Sequence, residues 1–567
     1  MTVSYTLDGD ARAAASLLLV RDGDAGVEVL MLRRAERDGD MRSGAAVFPG
    51  GVLDARDRAA HTHCTDGDDA AWSERLALPE GGLDYAVAAL RETFEEVGLL
   101  LADRVPGAAQ TTPWRDELQA GRTGIAELCS AFGCRLDTAA LAYHSHWLTP
   151  PGQPRRFDTR FFLALAPVGQ VATPDLGEAV ELMWLTPAQA LAPERALKLL
   201  PVTRRTLLDL QRFATAADAL AEARSRRHPP RIMPRRAAST KGGVASRIVL
   251  PHELPYAEVA RLDPPGRGDV LAELVAGHPV RLSPRILRVT APNPGPMTGP
   301  GTNSYLVTGD GGATWACIDP GPQHAGHTQA LIDAARPGRI VRILVTHTHK
   351  DHSPGARALA EATGAPRAGR IAAHPQWQDA DFVAEQPLAG GEAIRLGPEA
   401  TLKALHTPGH ASNHLVYWLE EEQLLFTGDH VMQGSTVVIN PPDGDMAAYL
   451  RSLESLLALP VQWFAPGHGF LVAEPHAVLR GLVAHRLKRE AKVLAAVRQL
   501  GAAHVEGLVE AVYDDVAPAL HGVAQRSLLA HLLKLRDDEL VAQDESGRWA
   551  PSPQGPASGR RSAAGAA

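Results

Sequence analysis

The chain has 567 residues, 45% apolar, 22% charged and 5% aromatic, so it is too long for one core, too apolar for general disorder, and sized for about three domains. A formal net charge of −8 over this length creates no global field for nucleic acid or membrane, and such a partner would need a local patch. Cys64, Cys129, Cys134 and Cys317 form no CxxC pair, no basic run precedes the short apolar segment near the start, and no stretch of about eighteen apolar residues occurs; a cytoplasmic chain without a membrane span is expected.

Residues 14–33 read as strand, turn, strand, with Asp and Gly setting the turn of a hairpin. YAVAALRETFEEVGLLL at 85–101 reads as a helix, on which Glu92, Glu95 and Glu96 fall at i, i+3 and i+4 and share one face. Three crowded carboxylates suit a hard cation such as Mg²⁺ or Mn²⁺; the bland reading is a solvated acidic stripe. Residues 224–247 carry eight Arg or Lys, three Pro and no acid, and read as an exposed connection. From about 280, short β-rich segments alternate with helical ones in an α/β sandwich rhythm, and LDPPGRGD at 262–269 marks the main boundary before them. After 481, three helical stretches and a short alternating segment have the order of a winged helix, and PSPQGPASGRRSAAGAA at the end has no apolar pattern.

LVTHTHKDH places His347, His349, Asp351 and His352 directly after an apolar strand, where alternate residues can aim imidazoles at one point. His410, Asp429 and His468 recur at the ends of later apolar runs, each beside glycine. So many imidazoles and carboxylates call for metal compensation, and this donor set favours zinc, with iron or manganese as other choices. HxHxDH followed by TPGH, TGD and PGHG resembles the metallo-β-lactamase fold hydrolases over about 280–480. The resemblance implies His347, His349 and His410 on one Zn²⁺, Asp351, His352 and His468 on a second, Asp429 bridging them, and Asp351 and Asp429 as catalytic carboxylates. Asp319 reads as a supporting partner or turn former, and His406, His414 and His430 as structural or outer groups.

RETFEEVG looks like the core of a Nudix box, which implies Glu92, Glu95 and Glu96 as Mg²⁺ or Mn²⁺ ligands, with Glu95 catalytic in attack of water on a diphosphate. The box asks for an acid eight residues before Arg91, where Leu83 stands, and residues 52–84 read as an insertion between its halves. The segments 148–166 and 181–191 resemble the Nudix subgroup acting on coenzyme A-like or nucleotide diphosphates, with Arg155 and Arg156 as phosphate contacts or strand-edge ion pairs.

The expected organisation is a multidomain α/β and α+β chain: a Nudix α/β/α sandwich over 10–260 including the basic segment 224–247, a metallo-β-lactamase αββα sandwich over 270–480, a winged helix over 481–550 and a disordered tail over 551–567. NPGPMTGPGTNSYLV at 293–307, GDHVMQGSTVV at 428–438, YLRSLESLLAL at 449–459 and the helical C-terminal module together resemble, over 285–549, the branch that includes single-stranded RNA endonucleases, which implies RNA phosphodiester cleavage with the winged helix gripping nucleic acid or capping the metal cleft. Arg486, Lys488, Arg489, Lys492 and Arg498 form a basic helix face for that role. The alternatives are a thioester or small-ester hydrolase of the glyoxalase II type, and a nucleic-acid-binding scaffold with an inactive Nudix domain.

Overall fold

The computed structural model describes residues 9–36, 43–66, 68–175, 177, 179–239 and 247–552. The chain divides into two units, one of residues 1–238, 245–251 and 263–269, the other of residues 239–244, 252–262 and 270–567.

In the first unit, the strand Arg12–Gly23 is buried almost throughout, which requires cover on both faces. It turns at Asp24 and Ala25 into the antiparallel strand Gly26–Arg34, and it runs parallel to Phe157–Leu165. Its alternate residues part to opposite sides. Leu17 and Leu19 join Phe94 and Phe162 under the helix Gly82–Val97. Leu18 and Val20 join Leu207 and Leu220 of the helices Pro201–Leu210 and Ala216–Ser225. The result is an α/β/α sandwich.

Two segments carry structure beyond their reading as a connection and an insertion. The basic segment 224–247 is more than a connection: Arg231–Ile232 adds a parallel edge to Ala142–Leu148, and Arg235–Ala237 pairs with Arg247–Val249. Ile232 packs against the core, which explains why this charged stretch folds back; residues 240–246 of it lie outside the described residues. The insertion at 52–84 is also structured, because Trp72 and Leu76 of the helix Asp69–Leu76 are buried against the helix Gly82–Val97.

Among the described residues, the second unit stacks a seven-stranded sheet on a six-stranded one. Tyr305 and Val307 of the first sheet meet Leu402, Tyr417 and Phe426 of the second. Helices Ala325–Ala334 and Gly355–Thr363 cover the outer face of one sheet, and Met446–Leu456 with the start of Pro475–Leu500 covers the other, an αββα order. Against the expected amino-terminal extent of 10–260, the helix Tyr256–Leu262 belongs to this unit. Its buried Glu258 accepts two hydrogen bonds from buried Arg288, at 2.6 and 2.8 Å, and one from the Leu471 amide.

The helices Pro475–Leu500, Val505–Val512 and His521–Asp537 and the hairpin of Val541–Gln543 with Trp549–Pro551 form the winged helix around Trp549 and Leu528. The tail from residue 553 onward lies outside the described residues. No helix among the described residues is long and apolar enough to cross a membrane.

Candidate metal centre and Nudix helix

The strand Arg339–Leu344 ends in a buried turn from which His347 and His349 project. Asp319, at φ +51°, braces this turn: its carboxylate accepts hydrogen bonds from the Thr346 amide and hydroxyl, both at 2.7 Å, and from His352 Nδ1 at 2.9 Å. Asp and Asn are the side chains that tolerate this left-handed backbone. His410 Nδ1 donates to the Val438 carbonyl at 2.8 Å and His468 Nδ1 to the Gly301 carbonyl at 3.1 Å. With Nδ1 committed to an acceptor, the Nε2 lone pairs of His352, His410 and His468 are left free to bind a cation.

Two ligand-ready groups result. His347, His349 and His410 form one; Asp351, His352, Asp429 and His468 form the other. In the first, the Nε2 atoms of His347 and His410 each lie 3.0 Å from His349 Nδ1. In the second, Asp429 Oδ1 lies 3.3 Å from Nε2 of both His352 and His468, while its Oδ2 faces His410 at 3.8 Å, so Asp429 touches both groups. Asp351 Oδ2 lies 3.4 and 3.3 Å from the same two imidazoles and accepts from the Thr302 hydroxyl.

Buried Nε2 of His352 and His468 and Oδ1 of Asp429 have no hydrogen-bond partner among the described residues, an arrangement that a divalent cation resolves. Burial, with neighbouring imidazoles, pushes the pKa of His347 well below the usual range and that of His349 down to about 3. Burial opposes protonation of His352 and His468 as well. There the facing carboxylates win, holding His352 well above its ordinary range and His468 up at about 10. A cation and these protons compete for the same electron pairs.

The remaining histidines of the region sit outside both groups. His406 bonds the Ser412 carbonyl, His414 stacks under His347 at 4.9 Å, and His430 packs on Tyr449. The backbone carbonyls of Gly301 and Val438 and the Thr302 hydroxyl had no signal in the sequence, because only folding brings them to the imidazoles. A further set, Thr348, Gln378, Asn413 and Asp443, ties the loop after Arg370 to the His349 turn through hydrogen bonds of 2.6–3.0 Å.

On the helix Gly82–Val97, Arg91 lies within the acidic face. It bonds Glu92 at 2.8 Å and Glu95 at 3.2 Å, while Glu96 accepts from the Gly50 amide at 2.8 Å. Burial, partly offset by Arg91, pushes Glu92 up to about 7 and raises Glu95. No acid stands at Leu83; fully buried Asp57, in the 3-10 segment Ala55–His63, accepts two hydrogen bonds of 2.6 and 3.1 Å from Arg91. Leu83 itself is buried in the apolar core. Arg156 is a buried tie to the Thr149 carbonyl and Asp10.

The family model described as Metallo-beta-lactamase superfamily matches residues 297–468, NUDT19 Nudix domain matches 67–200, and Beta-lactamase associated winged helix domain matches 505–549. The "Atrochrysone carboxyl ACP thioesterase" of Aspergillus chevalieri is 34% identical over 289 residues, 47% of this chain and 87% of that protein. The "Beta-lactamase-like protein 2 homolog" of Drosophila melanogaster is 29% identical over 271 residues, 46% and 90% of the two chains. A solved "Beta-lactamase domain protein" from Burkholderia ambifaria shares 20% identity with a TM-score of 0.43, over 49% of this chain and 94% of that one. Identity at this level across most of a relative's length, joined to imidazoles and carboxylates pooled at the loop ends of an αββα sandwich, places the chain in the metallo-β-lactamase superfamily, as a metal-dependent hydrolase with an amino-terminal Nudix domain and a carboxy-terminal winged helix.

Proposed function

We propose that the carboxy-terminal unit hydrolyses thioesters. His347, His349 and His410 would hold one Zn²⁺, Asp351, His352 and His468 a second, and Asp429 would touch both. Two such ions supply Lewis acidity that polarises the scissile carbonyl and makes water a competent nucleophile near neutral pH. The protein's own contribution is to orient the ligands through Asp319, Val438 and Gly301 and to keep the centre dry. Asp351, the most exposed of the four residues in its group with 26% of its side chain open, would be the catalytic carboxylate that orients the attacking water by accepting its hydrogen bond.

The observation that carries thioester over RNA is the state of the basic helix. Arg486 is buried and donates to the Val437 carbonyl, Arg489 pairs with Asp515 at 2.8 and 3.0 Å, and Lys492 pairs with Asp514. Lys534, on the next long helix, is taken by Glu490 and Asp538. Cations already neutralised within the module release few counterions on meeting a phosphate backbone. The name of the Aspergillus relative, a thioesterase, points the same way. RNA cleavage stays as the second reading because the winged helix matches a family model of its own and Lys488 and Arg498 are exposed.

In the amino-terminal unit, Glu92, Glu95 and Glu96 would take Mg²⁺ or Mn²⁺ once Arg91 yields Glu92 and Glu95, for hydrolysis of a diphosphate in a coenzyme A-like or nucleotide substrate, with Glu95 as the catalytic carboxylate. A cytoplasmic site of action accords with the four free cysteines.

The test is turnover of an acyl thioester and of single-stranded RNA by the zinc-loaded chain across a salt titration. Thioester turnover that is insensitive to salt and abolished by His349→Ala or Asp429→Asn is expected. Steeply salt-dependent RNA cleavage without thioester turnover would replace the reading.

A further inference from the structure

Trp377 and Arg526 stand beside the first ligand group and have no part in holding it. Trp377 has φ +70° and is 50% exposed. A bulky side chain in the left-handed region is an outlier, and such residues persist where the surroundings over-determine them, typically at ligand clamps. Here the surroundings do so. Asp443 accepts hydrogen bonds from the His374 amide at 3.2 Å, Gln378 Nε2 at 3.0 Å, and the Ser412 amide and hydroxyl at 3.0 and 2.6 Å, which pins the loop on either side of Trp377. Gln378, the next residue, forms a β-bridge with His349 and accepts from the Thr348 hydroxyl.

Arg526, on the helix His521–Asp537 of the winged helix, lies over the Trp377 ring at 5.1 Å. Its neighbour Ser527 accepts from the Ile439 amide, one residue after the carbonyl that fixes His410. The cations Arg489, Lys492 and Lys534 of the same module are paired with carboxylates, whereas half-buried Arg526 has no carboxylate partner among the described residues. A guanidinium held on an aromatic plane with no counter-ion, next to a metal-ligand loop, is built to receive an oxyanion.

We propose that Trp377 and Arg526 form the recognition edge of the metal centre, gripping a carboxylate or phosphate that a thioester substrate carries. The inference rests on the thioester reading above. It gives the winged helix a role as one wall of the substrate site. The oxyanion can sit on the acyl side, as in a dicarboxylic monoacyl group, or on the thiol side, as the phosphate of a pantetheine carrier.

The test uses the metal-loaded full chain and three thioesters: acetyl-N-acetylcysteamine, which is neutral, glutaryl-N-acetylcysteamine, with an acyl-side carboxylate, and acetyl-coenzyme A, with thiol-side phosphate. The wild type should favour one anionic substrate over the neutral one by about tenfold or more in kcat/KM. Which one it favours identifies the source of the oxyanion. Arg526→Gln should lower that ratio about fivefold or more, through KM, and Arg526→Lys should retain part of it. Calorimetric binding of glutarate or coenzyme A to the metal-free chain should weaken in parallel. Trp377→Gly, which relieves the backbone, should fold at least as stably as wild type while losing the same preference. Thioester turnover without anion preference, or a preference kept by folded Arg526→Gln, would overturn the inference and leave the thioester reading standing. No thioester turnover at all would overturn both, and salt-sensitive RNA cleavage abolished by Arg526→Gln would assign the pair to nucleic acid instead.

Discussion

Replacing Asp319 with Asn tests whether the second metal position depends on a charge that never touches the metal. One carboxylate oxygen accepts from the Thr346 amide; the other accepts from both the Thr346 hydroxyl and His352 Nδ1. Asn suits φ +51° and can keep the first bond, so the turn should survive. Its amide nitrogen, however, faces His352 Nδ1 with hydrogens of its own. His352 must then lose that bond or move its proton to Nε2, the atom that would bind the cation. One charge-assisted bond is worth about 1.5–3 kcal/mol, equivalent to roughly 10–150-fold in affinity, and outer-partner mutations typically cost about 10–100-fold. Chelator competition with elemental analysis should therefore show one of two metals weakened by about 10–100-fold, with circular dichroism unchanged. Both metals loading within about threefold of wild type in a folded variant would refute the argument that Asp319 sets the His352 tautomer.

Asp57→Ala removes the fully buried partner of Arg91 and leaves its bonds to Glu92 and Glu95, so unfolding of the amino-terminal unit should become easier by about 1.5–3 kcal/mol in denaturant titration; a cost below about 1 kcal/mol would show that the pair is solvated in solution. Gly467→Ala would place a Cβ 2.6 Å from Asp429 Oδ1 and 2.8 Å from His352 Cε1, so metal stoichiometry should fall from two while the winged helix stays folded. His144 is buried, and burial with Arg226 nearby pushes its pKa down to about 3, well below the value near 6.5 of an unfolded imidazole. The unfolded chain therefore binds the extra proton between those values. The His144 contribution to stability should be flat above about pH 6.5 and fall by at most about 1.4 kcal/mol per unit as pH drops towards 3. His144→Gln should flatten that slope in thermal unfolding; an equal slope in the variant would place its origin elsewhere.

The amino-acid order alone determined the local facts. The apolar run ahead of His347, the turn residues between Gly23 and Gly26, the shared face of Glu92, Glu95 and Glu96, and the three helices with a hairpin after 481 all follow from periodicity and composition over a few residues. The candidate ligand residues were legible for the same reason, since His347, His349, Asp351 and His352 follow one apolar run and His410, Asp429 and His468 stand near the ends of later ones. Contacts that span long stretches of chain were not legible. Asp57 meets Arg91 at a separation of 34 residues, Glu258 leaves its sequence neighbours to pair with Arg288, and Arg489, Lys492 and Lys534 of the winged helix pair with Asp515, Asp514 and Glu490. A buried charge needs a partner wherever the chain can supply one, and only tertiary packing decided which partner that was.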